Sequence, residues 1–148
     1  MNLKIIIKYI LLVLWMTLIF WFSNQSGVDS SDTSSSIVMM IVSFLEKISG
    51  LTLSDSVISI MCFLIRKLAH FTLYFILGLI SILILNEYNL SIKHKIIYAT
   101  MFCLIYACSD EIHQLFVSNR NGSLLDVGID MLGVSFPIFI FSNNRKTK

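Results

Sequence analysis

Ser109 to Asp130, SDEIHQLFVSNRNGSLLDVGID, places Asp110, Glu111, His113, Gln114, Arg120, Asp126 and Asp130 between two runs apolar enough to read as membrane helices. Ionisable side chains at membrane depth are costly, so they persist where they pair, bind or react. The stretch therefore marks a functional site, and its flanks decide the fold.

Upstream, Ile96 to Ser109 is mostly apolar but extends only about 21 Å as a helix, short of a ~30 Å hydrocarbon core. To cross, the helix must continue through Asp110, Glu111 and His113, giving a span over about 96–116. Asn121-Gly122 is a turn signal, and Ser123 is placed to cap the next helix. That last span covers about 124–141, with Asp126 and Asp130 one turn apart near its start. Gly133 continues the same flank, where a missing side chain lets a neighbouring helix approach. Pro137, the single proline, is expected to kink the helix near its far end.

Earlier in the chain, Ile5 to Phe22 is nearly unbroken apolar sequence, about 27 Å as a helix. With no small-residue cleavage pattern after it, it reads as a retained first span. Ser23 to Ser36 shifts abruptly to Ser, Asn, Asp and Gly and reads as a loop. Ile37, Ile41, Phe44, Leu45 and Ile48 recur at helical spacing, suggesting a short amphipathic helix that lies in the interface or covers the bundle, ended by Gly50. Val57 to Leu85 is apolar except for Arg66-Lys67 and His70, and at about 43 Å its first third should project beyond the membrane or lie along its outer surface. The spanning part is about 66–85. Arg66, His70 and Tyr74, at i, i+4 and i+8, share one stripe of this helix.

The expected architecture is all-α: four transmembrane helices in one domain over 1–148, with the amphipathic helix in an outer loop of about 23–56. With 56% hydrophobic and 14% charged residues, this is not the composition of a soluble domain. A net charge of +2, with basic residues scattered at segment ends, gives no footprint for nucleic acid. Cys62, Cys103 and Cys108 lie in apolar runs and read as buried hydrophobes. Placing both termini in the cytoplasm puts seven basic residues inside (Lys4, Lys8, Lys93, Lys95, Arg145, Lys146, Lys148) and four outside (Lys47, Arg66, Lys67, Arg120). The polar cluster then faces outward.

These residues also carry a resemblance. Arg66-x3-His70-x3-Tyr74, Asp110-Glu111-x-His113-Gln114-x-Phe116, Arg120 and Asp126-x3-Asp130-x2-Gly133 resemble the VanZ-like family of small bacterial membrane proteins, as does the loop opening Phe22-Ser23-Asn24-Gln25-Ser26-Gly27. The likeness runs through nearly the whole chain in order. The family commonly has Pro-Gly before the arginine, where this chain has Ser118-Asn119. The founding member is linked to resistance to teicoplanin, a lipid-tailed glycopeptide. The resemblance therefore implies a bacterial cell membrane and the outer-leaflet chemistry of the envelope, with membrane lipid, a lipid-linked wall precursor or a glycopeptide as partner.

Three readings of the cluster differ in class. In the first it binds or acts on an anionic, lipid-linked ligand. Arg66 and Arg120 clamp phosphate, His70 or His113 exchanges a proton, and Asp110, Glu111 or Asp126 orients the imidazole, with Tyr74, Gln114 and Asp130 adding contacts. A variant adds a divalent cation on His113 with Asp110, Glu111, Asp126 or Asp130, although the spacing is no standard metal signature and assigns no metal ligand. In the second reading the protein is a non-catalytic binding or interaction protein. Its charges are interhelical salt bridges, Arg66 or Arg120 against Asp110 or Asp126. The third, a proton-coupled transporter, needs a polar path through Leu79 to Leu85 and Ile96 to Phe102, which offer only Ser81, Tyr98 and Thr100.

Overall fold

A computed structural model describes residues 3–50 and 52–146, with side chains as far as residue 143. Among these residues the fold is entirely helical: α1 (Leu3–Ser23), α2 (Gly27–Ser49), α3 (Asp55–Leu85), α4 (Ile92–Gln114) and α5 (Leu124–Lys146).

Three of these helices, not the expected four, are long and apolar enough to cross a membrane: α1, α3 and α5. The correction falls on α4, which carries Lys93, His94 and Lys95 at its start and Asp110, Glu111 and Gln114 at its end. This helix starts and stops a little earlier than the 96–116 span, and its first turn takes in His94. Ser91 caps that turn, its Oγ accepting from the His94 backbone and lying 2.6 Å from His94 Nδ1. Ala99, Cys103, Ala107, Asp110, Glu111 and Gln114 form its buried stripe, so α4 keeps its acidic end against protein. As expected, the helix continues through Asp110, Glu111 and His113.

The expected loop over Ser23 to Ser36 is also overturned, because helix α2 begins at Gly27. Ser26 is its N-cap, accepting from the Asp29 backbone and donating to Asp29 Oδ2 at 2.6 Å. Hydroxyls that ordinarily favour turns are absorbed by the helix itself. Thr33, Ser34 and Ser36 each donate to the carbonyl four residues back. The helix packs mainly on α3, through Ser34, Val38 and Val42. The stripe Ile37, Ile41, Phe44, Leu45 and Ile48, expected either to lie in the interface or to cover the bundle, is exposed, with Phe44 at 64% and Ile48 at 70%. Thus α2 covers the bundle with one face and presents the other as an apolar surface. Gly50 ends it in the left-handed conformation at φ 69°, its N–H donating to Glu46 O.

The most extensive pairing is between α3 and α5, which run parallel. Gly133 of α5 lies against the Phe71 carbonyl, and its Cβ, if it had one, would collide there and sit 3.0 Å from Phe75 N. On α3, Gly78 is similarly close to the Val134 backbone at 3.0 Å. The buried face of α5 runs Asp126, Asp130, Gly133, Val134, Pro137, Ile138, and the helix continues through Pro137. Antiparallel α1 closes the bundle: Trp15 Nε1 donates to Leu73 O at 2.9 Å, and Tyr106 of α4 donates to Met16 O at 2.7 Å. At the opposite end from the site, Lys8 meets Glu87 Oε1 at 2.5 Å and Leu83 O at 3.1 Å. It satisfies the C-terminus of α3 and holds the Glu87 carboxyl below its usual range. All three cysteines are free thiols.

Filling Gly133 should separate the two central helices. Gly133→Leu is expected to lower the thermal unfolding midpoint by an amount corresponding to about 1–3 kcal/mol or more. Gly128→Ala, where an added Cβ meets nothing within 4 Å, should be neutral or stabilising. Equal behaviour of the two variants would show that the close approach is not what the packing depends on.

Candidate functional site

The register of α3 on α5 brings their charged side chains together. Lys67 pairs with Asp126, and one turn further His70 Nδ1 lies 3.2 Å from Asp130 Oδ1. Asp130 is fully buried, and Asp126, Asp110, Glu111 and Gln114 are buried as well. The Arg66/His70/Tyr74 stripe turns, as its spacing predicts, to one neighbourhood, in which all three line a single cavity.

Helix α4 adds the acidic wall. Gln114 Nε2 donates to Asp110 Oδ2 and to Glu111 Oε1, both at 3.3 Å. Glu111 Oε2 accepts from the Ser123 backbone at 2.7 Å, which ties the loop after α4 to its last turn. In that loop Asn119 adopts φ 57°, a conformation Asn tolerates better than most side chains. Gly27 N donates to Ser118 O at 3.0 Å, and Gly27 itself lies against the Asn119 carbonyl. Where the family commonly has Pro-Gly, Ser118-Asn119 is thus held by the start of α2. This docking swings Arg120 inward: its Nη1 donates to Ser23 O at 3.2 Å. Burial lowers the Arg120 guanidinium from its ordinary value, but from so high a starting point that it stays charged.

The two arginines are not partnered as salt-bridge glue would require. Arg66 Nη2 donates to Ser31 Oγ at 2.9 Å and its Nε finds no partner. Among the described residues no carboxylate lies within 4.0 Å of either guanidinium. Instead both face two adjoining cavities, of about 580 and 250 Å³, which also share Ser30, His70 and Gln114. The smaller is polar, with Lys67, Asn119, Asn121 and Asp126 on its wall. The larger runs from Arg66 and Arg120 along Ile19, Ile37, Ile65, Leu68 and Leu73, so it has a charged end and an apolar body.

Of the residues singled out in the sequence, Arg66, His70, Tyr74, Asp110, Gln114, Arg120 and Asp126 line these cavities, and Glu111 and Asp130 stand behind them at His70. His113 is placed elsewhere. Its ring lies tilted against Phe20 of α1, centroids 4.8 Å apart, and it lines neither cavity. The wheel explains why: from Asp110, Glu111 and Gln114 advance about 100° and 40°, whereas His113 falls about 60° the other way. The cation variant built on His113 therefore loses its imidazole, but His70, Glu111 and Asp130 offer ligand atoms all within 4.8 Å of one another. Three contributors went unremarked as site residues in the sequence. Lys67 lies at i−3 from His70 and so on the α5 side of the same helix, and Ser30 and Ser31 became visible once α2 was known to start at Gly27.

A bundle of long apolar helices around a buried cluster of opposite charges defines a membrane protein with a polar site. Residues 8–144 match the family model described as VanZ/LLP1. The chain belongs to the VanZ/LLP1 family. No curated protein and no solved structure is similar enough to match.

The charge contacts between α3 and α5 should behave as a unit. Lys67→Gln and Asp126→Asn should each destabilise the protein, while the double variant should lose clearly less than the sum. Transmembrane polar couplings average ~0.6 and reach ~1.7 kcal/mol. Additive losses in unfolding midpoints would contradict the pairing.

Proposed function

We propose that this protein binds a lipid with an anionic, phosphate-bearing head group at the outer leaflet. Arg66 and Arg120 take the phosphate, and the apolar body of the larger cavity holds the start of the chain. The observation that carries this reading is that both guanidiniums face one space without a carboxylate partner, although Asp110, Glu111, Asp126 and Asp130 stand close by. Two like charges in a partly desolvated space repel each other, and an anion between them reverses that cost. A cavity of about 580 Å³ is of the size that ligand sites use. Its composition suits a molecule charged at one end and apolar along its length.

The outward orientation is supported by the excess of basic residues at the other end of the bundle, where Lys8 and Glu87 meet. In a bacterial envelope the ligands of this chemistry are polyprenyl phosphates and lipid-linked wall precursors. Holding them is a route by which such a protein contributes to teicoplanin resistance. His70 is the histidine that lines the cavities, so any proton exchange on the ligand falls to it.

The second reading, structural pairing, is favoured by a specific observation for part of the cluster only. Lys67 with Asp126 and His70 with Asp130 do join α3 to α5. Those pairs leave both arginines, Asp110 and Glu111 unaccounted for as glue.

Binding of an undecaprenyl phosphate, a wall precursor, phosphatidylglycerol and teicoplanin to the protein in nanodiscs is the test. Arg66→Gln should weaken binding of the phosphate lipid about 10- to 100-fold, as expected for a charged hydrogen-bond partner. Arg120→Lys should also weaken it, because a point charge does not reproduce a planar fork. Equal binding by wild type and both variants, or no binding of any member of the panel, would overturn the proposal.

A further inference from the structure

We infer that the base of this site is a divalent-cation centre, with His70 from α3, Glu111 from α4 and Asp130 from α5 as its protein ligands. One imidazole and two carboxylates form a ligand set for Zn2+ or Mn2+. Their donor atoms lie no more than 4.8 Å apart, so small side-chain rotations bring all three to one ion at roughly 2.0–2.3 Å. Each ligand comes from a different helix, and His70 and Asp130 already meet at 3.2 Å. Glu111 is held by the Ser123 backbone and Gln114, and Asp130 sits one turn after the Lys67-bound Asp126.

Two buried atoms point to a ligand here independently of the cluster's own hydrogen bonds. Asp130 Oδ2 has no partner, although Asp130 is wholly buried. Tyr74, only 1% exposed, has an unpartnered hydroxyl, one turn after His70 on the same stripe. A buried carboxylate oxygen and a buried phenol left without partners are each costly, and a bound ion with its coordinated water relieves both.

Charge gives the same direction. Asp110, Glu111, Asp126 and Asp130 crowd the base of the site beside Arg66, Lys67 and Arg120. A phosphate entering beside these carboxylates would meet their repulsion, whereas a dication in the base offsets it. The centre thus deepens the phosphate reading, yet it is measurable without any phosphate present.

The test is a titration of chelator-treated, full-length protein in nanodiscs with Mn2+ followed by electron paramagnetic resonance, with Zn2+ as competitor. Wild type should take up about one Mn2+ per chain and show imidazole nitrogen coupling. His70→Ala should abolish that coupling, and both His70→Ala and Glu111→Gln should weaken uptake at least about tenfold. Glu87→Gln, at the opposite end of the bundle, should leave uptake unchanged. No saturable uptake by wild type, no nitrogen coupling, or uptake equal in all four proteins would overturn the proposal. The nitrogen coupling is read on wild type alone, so it decides even if a variant fails to fold. Loss of phosphate binding in the arginine variants with Mn2+ uptake intact would support the two sites separately. Failure of uptake with phosphate binding intact would remove the metal and leave the anion site.

Discussion

Lys67 against Asp126 and His70 against Asp130 fix the rotation and the register of α3 on α5 together, because both partners on α5 are one turn apart and both on α3 nearly so. Gly133, against the backbone of Phe71 in the following turn, lets the two helices come close enough for these contacts to form. The rest of the site follows from that register. With Lys67 and His70 turned to α5, Arg66 is carried round the helix toward α2, where it meets Ser31 and the cavity rather than a carboxylate. The carboxylates of α5 are thereby used by α3, and those of α4 are free to shape the opposite wall.

Burying so many ionisable groups is tolerable because protein, not lipid, surrounds them. The acidic end of α4 is covered by protein, and the loop that follows is tied back by Glu111, Gly27 and Ser23. The outward surface is left to apolar residues such as Leu132, Phe136 and Phe139 of α5 and Phe44 and Ile48 of α2. Polar groups inside a membrane bundle ordinarily face its interior and mark a site. Here they open onto a cavity with an apolar flank, the arrangement that an amphiphile requires.

Much of this was legible in the sequence, for a geometric reason. Residues four apart share a face, so Arg66, His70 and Tyr74 on one helix and Asp126 and Asp130 on another were bound to form stripes, and Gly133 extended one of them. The misreadings have physical causes. A serine-rich stretch looks like a loop because hydroxyls compete for backbone hydrogen bonds, but those of Thr33, Ser34 and Ser36 bond back within the helix instead. Periodicity alone left open whether the apolar stripe of α2 faced the interface or the bundle, and small Ser34 with Val38 and Val42 makes the contact with α3 instead. His113 was grouped with Asp110 and Glu111 by proximity in sequence, although the helical turn sends it to Phe20. Lys67 went unclaimed because Arg66 beside it had the more conspicuous spacing.

The central claim is that a phosphate-headed lipid sits inside the bundle and not merely around it. A photoreactive polyprenyl phosphate carrying a diazirine near its head group, cross-linked to the protein in nanodiscs and mapped by mass spectrometry, tests this directly. Adducts concentrated on Ile19, Ile65 and Leu73, and competed by unlabelled phosphate lipid, are the predicted result. Adducts spread over Leu132, Phe136 and Phe139 on the outward face of α5, with no competition, would contradict it.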